Sequence, residues 1–202
     1  MSRRALACLA FLVGSVAAGG ETWTRTKGLV AEHLIDAAFA RAVERGGNAS
    51  PPWPGADFEP VAEIRLPRLD VRARVLRGAQ GATLAFGPGW VPGTAPLRGL
   101  SPVNRRSMGR GTFMPSVIGG HRDREFSFLD ELIPGEGLTL EVPGEPPSEW
   151  TLESCGVTHH RDGSVVSPRS APRLILLTCY PVRERRPTDR RWITVWKPTE
   201  PA

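Results

Sequence analysis

Between Lys27 and Arg45 the apolar residues Leu29, Val30, Leu34, Ile35, Ala38, Phe39, Ala42 and Val43 recur at steps of three and four, predicting a helix with one apolar face. Gly46-Gly47 ends it, and Asn48–Pro60, which carries four prolines, predicts an extended linker. From Val61 the pattern changes to short apolar and β-branched runs. Val61–Leu66 and Val71–Leu76 flank a turn containing Pro67, and Thr83–Phe86 leads into the loop Gly87-Pro88-Gly89. Val117–Gly120 reads as a short strand, Phe128–Leu132 as a helical turn, and Leu138–Val142 and Trp150–Val157 as alternating strands. Arg173–Thr178 (RLILLT) is almost continuously apolar, the pattern of a central strand buried on both faces. Arg191–Trp196 (RWITVW) is β-branched and aromatic and predicts a final strand. Seven to eight strands, no repeat and no βαβ alternation predict an all-β barrel or sandwich. The preceding helix reads as a stalk or brace against that domain, or as a dimerisation helix.

Composition agrees with this class. Twenty-two glycines and twenty prolines occur in 202 residues, about a fifth of the chain against an average near 12%. Such punctuation excludes a helical bundle, while a hydrophobic content of 40% still supports a core. The net charge of +5 is too small to identify a nucleic-acid binder. Lysine occurs only at Lys27 and Lys197, so arginine supplies nearly all the positive charge, as a codon bias would produce. Arg98–Pro115 holds four arginines, no acid and no periodicity, and reads as a mobile loop.

The N-terminus, MSRR followed by the uncharged run Ala5–Gly20, resembles a secretory signal, with Val16-x-Ala18 as a cleavage site. The alternative is an uncleaved signal anchor, with Arg3 and Arg4 snorkelling. Sixteen residues span about 24 Å as a helix against a hydrocarbon core of about 30 Å. A buried core helix is the plainest alternative. Either export reading puts the remainder outside the cytoplasm.

Three cysteines, Cys8, Cys155 and Cys179, exclude a disulfide framework, and no CxxC pair exists. Cys179 ends the apolar run and is followed by Tyr180-Pro181, where the chain leaves the sheet; His121 stands at a similar strand end after Val117–Gly120. A thiol is mostly protonated at neutral pH, an adjacent imidazolium favours the thiolate, and the same imidazole can protonate a leaving amine. Arginine can stabilise the oxyanion, and Arg191 follows Cys179 by twelve residues, a separation that allows its strand to return antiparallel beside the thiol. Each residue also has a structural reading: Cys179 as a small buried hydrophobe, His121 as a surface turn, and Arg191 as part of the solubilising cluster Arg183, Arg185, Arg186, Arg190 and Arg191. Cys155, within an alternating strand, reads as core. His159 and His160 lack zinc-ligand spacing, and Glu63, Asp70 and Asp123 are too scattered for a calcium loop.

Ile118-Gly119-Gly120-His121-Arg122-Asp123, Leu177-Thr178-Cys179-Tyr180-Pro181 and Arg191-Trp192-Ile193 resemble the histidine, cysteine and arginine signatures of sortases, cysteine transpeptidases of bacterial envelopes. The segment from Leu84 to Ala95 (LAFGPGWVPGTA) resembles the stretch before the histidine, particularly in Gram-negative members. The resemblance runs from about Glu63 to Val195. It implies a closed eight-stranded barrel with short helices over 61–198, preceded by an export or anchor segment over 1–25 and an amphipathic helix and linker over 26–60. It implies His121, Cys179 and Arg191 as catalytic residues, Arg191 being chosen over Arg190 because it directly precedes the aromatic strand. No cofactor or metal is implied. The implied partners are an LPxTG-like sorting signal and an amine acceptor, with no nucleic acid, and the implied location is the inner membrane through an N-terminal anchor, with the catalytic domain periplasmic. Arg98–Pro115 departs from the family pattern. A non-catalytic envelope-tethered binding domain and a cysteine hydrolase without transfer activity are the other readings.

Overall fold

A computed structural model describes residues 27–100, 114–159, 161, 171–184, 186 and 188–199. The eight strands are β1 (Pro60–Leu66), β2 (Val71–Arg77), β3 (Gly89–Trp90), β4 (Ser116–Gly119), β5 (Gly137–Glu141), β6 (Ser148–His159), β7 (Leu174–Cys179) and β8 (Arg190–Pro198). They close into a barrel in the order β1-β2-β3-β4-β7-β8-β6-β5. The β2–β3 and β4–β7 pairs are parallel and the others antiparallel. The expected closed eight-stranded barrel is therefore the observed one.

Alternation decides which side chains fill it. Ala62, Ile64, Leu66, Leu138, Leu140, Trp150, Leu152, Leu174, Leu176 and Trp196 form the interior. The two buried indoles keep their N–H groups satisfied, Trp150 donating to Ser148 Oγ (3.0 Å) and Trp196 to Thr194 Oγ1 (2.9 Å). β7 is buried on both faces, as its unbroken apolar run predicts. Leu174 and Leu176 point inward, while Ile175 joins Val117 and Val195 in a second cluster outside the barrel wall.

A helix, α1, occupies 27–45. It ends in a Schellman motif: Gly47 N–H donates to Ala42 O (3.1 Å), Gly46 N–H to Val43 O (3.1 Å), and Gly46 is left-handed at φ 64°. Ile35, Ala38, Phe39 and Ala42 are buried, whereas Leu29 is 67% exposed and Val30 53%. The helix is thus a brace over its second half. Ile35 packs with Phe58 and Leu76. The Arg74 guanidinium lies 4.3 Å from the Phe39 ring centre and its Nε is 2.6 Å from Asp36 Oδ1. Arg74 also pairs with Glu63, a fully buried carboxylate that receives Arg65 and Arg72 as well. That triple pairing compensates burial of the carboxylate charge.

Several expectations need correction. The predicted linker is not free chain: Pro52 is buried, Phe58 is 2% exposed, and Trp53 meets Phe58 and Phe86 edge-on. Gly81–Leu84 forms a single helical turn, α2, and the two-residue β3 has no sequence signature. Cys155 is half-buried, not core, and both it and Cys179 are free. Most of the arginine-rich stretch, 101–113, lies outside the described residues, as do Cys8 and the run Ala5–Gly20. Its described approach is anchored, with Leu97 and Leu100 in the core and Arg98 Nη2 donating to Pro143 O (2.6 Å). No helix among the described residues is long and apolar enough to cross a membrane.

The β2–β3 crossing is the tightest point. A Cβ at Gly89 would overlap the Gly78 carbonyl and crowd Ala79 Cα, backbone atoms of a segment tied to β3 by the Gly78 N–H bond to Trp90 O (3.1 Å). Gly89→Ala is expected to destabilise the chain by about 2 kcal/mol or more. Gly81→Ala, whose Cβ meets nothing within 4 Å, is expected to stay within about 0.5 kcal/mol. Urea unfolding midpoints of the two variants check this difference.

Candidate active site

Cys179 is the last residue of β7, and Arg191 the second of β8; the register pairs them directly across the ladder. Tyr180 N–H donates to Arg190 O at 3.0 Å. By alternation Cys179–Arg191 is then a non-hydrogen-bonded pair, the type in which opposite Cα atoms approach to about 4.5 Å. Both residues point to the outer face, in line with Ile175, Leu177, Ile193 and Val195 along their strands. This places Arg191 on the thiol's side. Arg190 is exposed and points to the other face.

His121 reaches the same edge from the other side of β7. The parallel register joins Val117 to Ile175 and Gly119 to Leu177; two residues further along, Cys179 ends β7 and His121 lies just past the end of β4. Gly120 N–H continues the ladder to Leu177 O (3.1 Å), and Thr178 Oγ1 donates to Gly120 O (2.8 Å). The residues just before the imidazole and the thiol are therefore hydrogen-bonded to each other. His121 is exposed, and Cys179 and Arg191 are half-buried, so all three are open to solvent to some degree.

The two glycines before His121 have different reasons. A Cβ at Gly120 would stand 2.7 Å from the Phe126 ring. Phe126 is fully buried, and its N–H donates to His121 O (3.1 Å), folding the turn back under the histidine. At Gly119 a Cβ would make an ordinary contact, 3.8 Å from Leu177 Cδ1. Arg191 is fixed through its Nη1, which donates to Thr188 O (3.0 Å) and Arg190 O (2.9 Å). Beside it, Tyr180 stacks on Trp192 with ring centres 5.8 Å apart, and Trp192 Nε1 donates to Leu129 O (2.9 Å).

Sequence reasoning did not single out Thr178 or Phe126. The signal for Thr178 was available: a hydroxyl at an inward position of a buried strand must find a partner, and Thr178 is 1% exposed. Phe126 gives no comparable signal, because its contact with Gly120 depends on the shape of the turn. His159 Nδ1 lies 3.2 Å from Asp189 Oδ2, and His160 is outside the described residues. Among the described residues no group of three or more His, Cys, Asp or Glu side chains gathers into a metal-binding cluster.

The arrangement has the components of thiol acyl transfer: a sulfur nucleophile, an imidazole and a guanidinium at one accessible edge. Comparison with known proteins agrees with the fold. The sortase domain model matches residues 64–199. No curated protein matches the chain by sequence. Among solved structures, sortase A from Corynebacterium diphtheriae is similar at 19% identity and a TM-score of 0.58, covering 100% of this chain and 97% of that one. Sortase C-1 from Actinomyces oris is similar at 20% identity and a TM-score of 0.56, covering 70% and 74%. The Clostridium perfringens sortase D5 transpeptidase is similar at 15% identity and a TM-score of 0.59, covering 83% and 99%. At these identities the solved structures speak for fold alone. The domain match covers most of the chain, running from within β1 to just past the end of β8, and on that ground the chain belongs to the sortase family.

Proposed function

We propose that the chain is a cysteine transpeptidase that cleaves an LPxTG-like sorting signal between Thr and Gly and transfers the acyl half to an amine. The reading is carried by one observation: Cys179 lies directly across the ladder from Arg191 and on the parallel neighbour of the strand leading to His121.

In this reading the Cys179 thiolate attacks the Thr carbonyl carbon, and the tetrahedral oxyanion accepts hydrogen bonds from the Arg191 guanidinium. The C–N bond then breaks, and the His121 imidazolium gives its proton to the departing glycine amine. A thioester through the threonine remains on Cys179. An incoming amine attacks it, neutral His121 takes the amine's proton, the new amide forms and the thiolate leaves. Water as acceptor gives the acid by the same steps. No cofactor enters the sequence of bonds.

The likeness of the Leu84–Ala95 segment supports a Gram-negative type. The apolar run Ala5–Gly20 behind Arg3 and Arg4 supports an N-terminal anchor in the inner membrane, with the barrel on the periplasmic side.

Incubation of the full chain with an LPxTG-type peptide and an amine, followed by digestion and mass spectrometry, tests the reaction. An acyl adduct is expected on the Cys179 peptide, and none in Cys179→Ala. Product formed only as the acid, whatever the amine concentration, would identify a hydrolase instead, and no adduct on the wild type would reject the enzyme reading. His121→Ala is expected to lose about 10²-fold or more in turnover. Arg191→Ala is expected to lose about 10²-fold, while Arg190→Ala stays near wild type because its side chain faces away. Equal losses at 190 and 191 would reject the assignment of the guanidinium. Thr178→Val keeps the side-chain shape and removes the bond to Gly120 O. It is expected to cost about 1 kcal/mol of stability in thermal unfolding and to lower turnover.

A further inference from the structure

The ladder fixes Cys179 and Arg191, but His121 sits beyond the last residue of β4, where the chain enters an irregular turn. The next residue crosses from that turn to the chain leaving Cys179. Arg122 Nη1 donates to Pro181 O (3.0 Å) and its Nη2 to Arg186 O (2.5 Å). These acceptors are two and seven residues past the thiol. One planar guanidinium thus ties the residue after the imidazole to two points of the β7–β8 loop, one near its start and one past its middle. Arginine suits this geometry because its donors diverge in a fixed fork, whereas a lysine ammonium is a single point donor. Arg122 is half-buried, and its bond to Pro181 O is partly shielded from competing water, whereas the bond to Arg186 O lies at the surface.

Resting on the transpeptidase reading, we propose that Arg122 is a positioning residue that holds His121 in register with Cys179 by bonding the loop that follows the thiol. It touches no reacting atom. Its action runs through His121, and that makes the role separable from general scaffolding.

The decisive measurement is a double-mutant cycle on the full chain, reading the rate at which iodoacetamide alkylates the Cys179 peptide at neutral pH. Arg122→Met is expected to slow alkylation about tenfold or more, to about the rate of His121→Ala. Adding Arg122→Met to His121→Ala should cause no further slowing. Arg122→Lys keeps the charge and loses the fork, so it should be slowed like Arg122→Met; it also carries the cycle if the Met variant fails to fold. With peptide and amine, both variants should lower kcat and leave KM nearly unchanged. Wild-type alkylation in Arg122→Met, wild-type behaviour in Arg122→Lys, or a loss that adds in full to that of His121→Ala would each overturn the proposal. The alkylation cycle needs no sorting signal. A wild type that forms no acyl adduct but still shows the non-additive cycle would reject the transpeptidase reading and leave the positioning role standing.

Discussion

β7 is paired on both sides, with β4 running parallel to it and β8 antiparallel, and this double pairing is what the candidate site depends on. A parallel neighbour delivers its C-terminal end to the same edge as the C-terminal end of β7, so the residues after β4 arrive beside Cys179. An antiparallel neighbour delivers its N-terminal end there, so the start of β8 arrives too. With two antiparallel neighbours, one would have to return its opposite end to that edge. The imidazole position, 58 residues before the thiol in sequence, is therefore set by strand direction. Burial of β7 on both faces makes the register costly to slip, because a shift of one residue would exchange Leu174 and Leu176 with Ile175 and Leu177.

The arginine excess is explained by the loops. Arg98 donates to Pro143 O, Arg122 to Pro181 and Arg186 carbonyls, Arg124 to Ala85 O and Arg68 to Glu131 O. Arg173 makes a two-point pair with Glu153, at the bulge of β6, with contacts of 2.7 and 3.1 Å. In each case a guanidinium satisfies an acceptor that no ladder reaches. A chain rich in glycine and proline leaves many such carbonyls, and arginine supplies divergent donors that remain charged when partly buried. The positive charge is thus partly spent within the fold.

What could be read from the sequence divides along the same line. β1, β2, β4, β5, β6, β7 and β8 are legible in the sequence within a residue or two of their observed bounds, from alternating or β-branched runs and, for β7, from its unbroken apolar run. The helix over 27–45 and its glycine stop were equally plain. β3 was not legible: two residues are too few to show a period, and its pairing with β2 depends on the close approach at Gly89. The Pro-rich segment after α1 read as linker because proline says where hydrogen bonding fails, not what Trp53 and Phe58 will cover. At the candidate site, chemical type and strand-end position make His121, Cys179 and Arg191 candidates, and the resemblance to the sortase signatures is what singles them out together. Thr178 and Arg122 act on carbonyls of distant segments, and residue order alone does not say which carbonyl lies within reach.

The barrel wall also separates stability from chemistry. Inward positions at the candidate edge, Thr178 and Trp192, bond to Gly120 O and Leu129 O and belong to the packed structure. Outward positions, Cys179 and Arg191, alternate with them and contribute little to the core. His121 is exposed altogether. Unlike Ile175 and Val195 further along the same face, which are packed in the second cluster, Cys179, Arg191 and His121 are at least partly open to solvent, and exchanging them opens no interior cavity. Their geometry is nevertheless inherited from the inward face, because each outer residue is flanked by one that the core or a buried hydrogen bond holds in place. A thiol at a strand end is thereby held by the fold while remaining open to solvent, which is the compromise the proposed nucleophile requires.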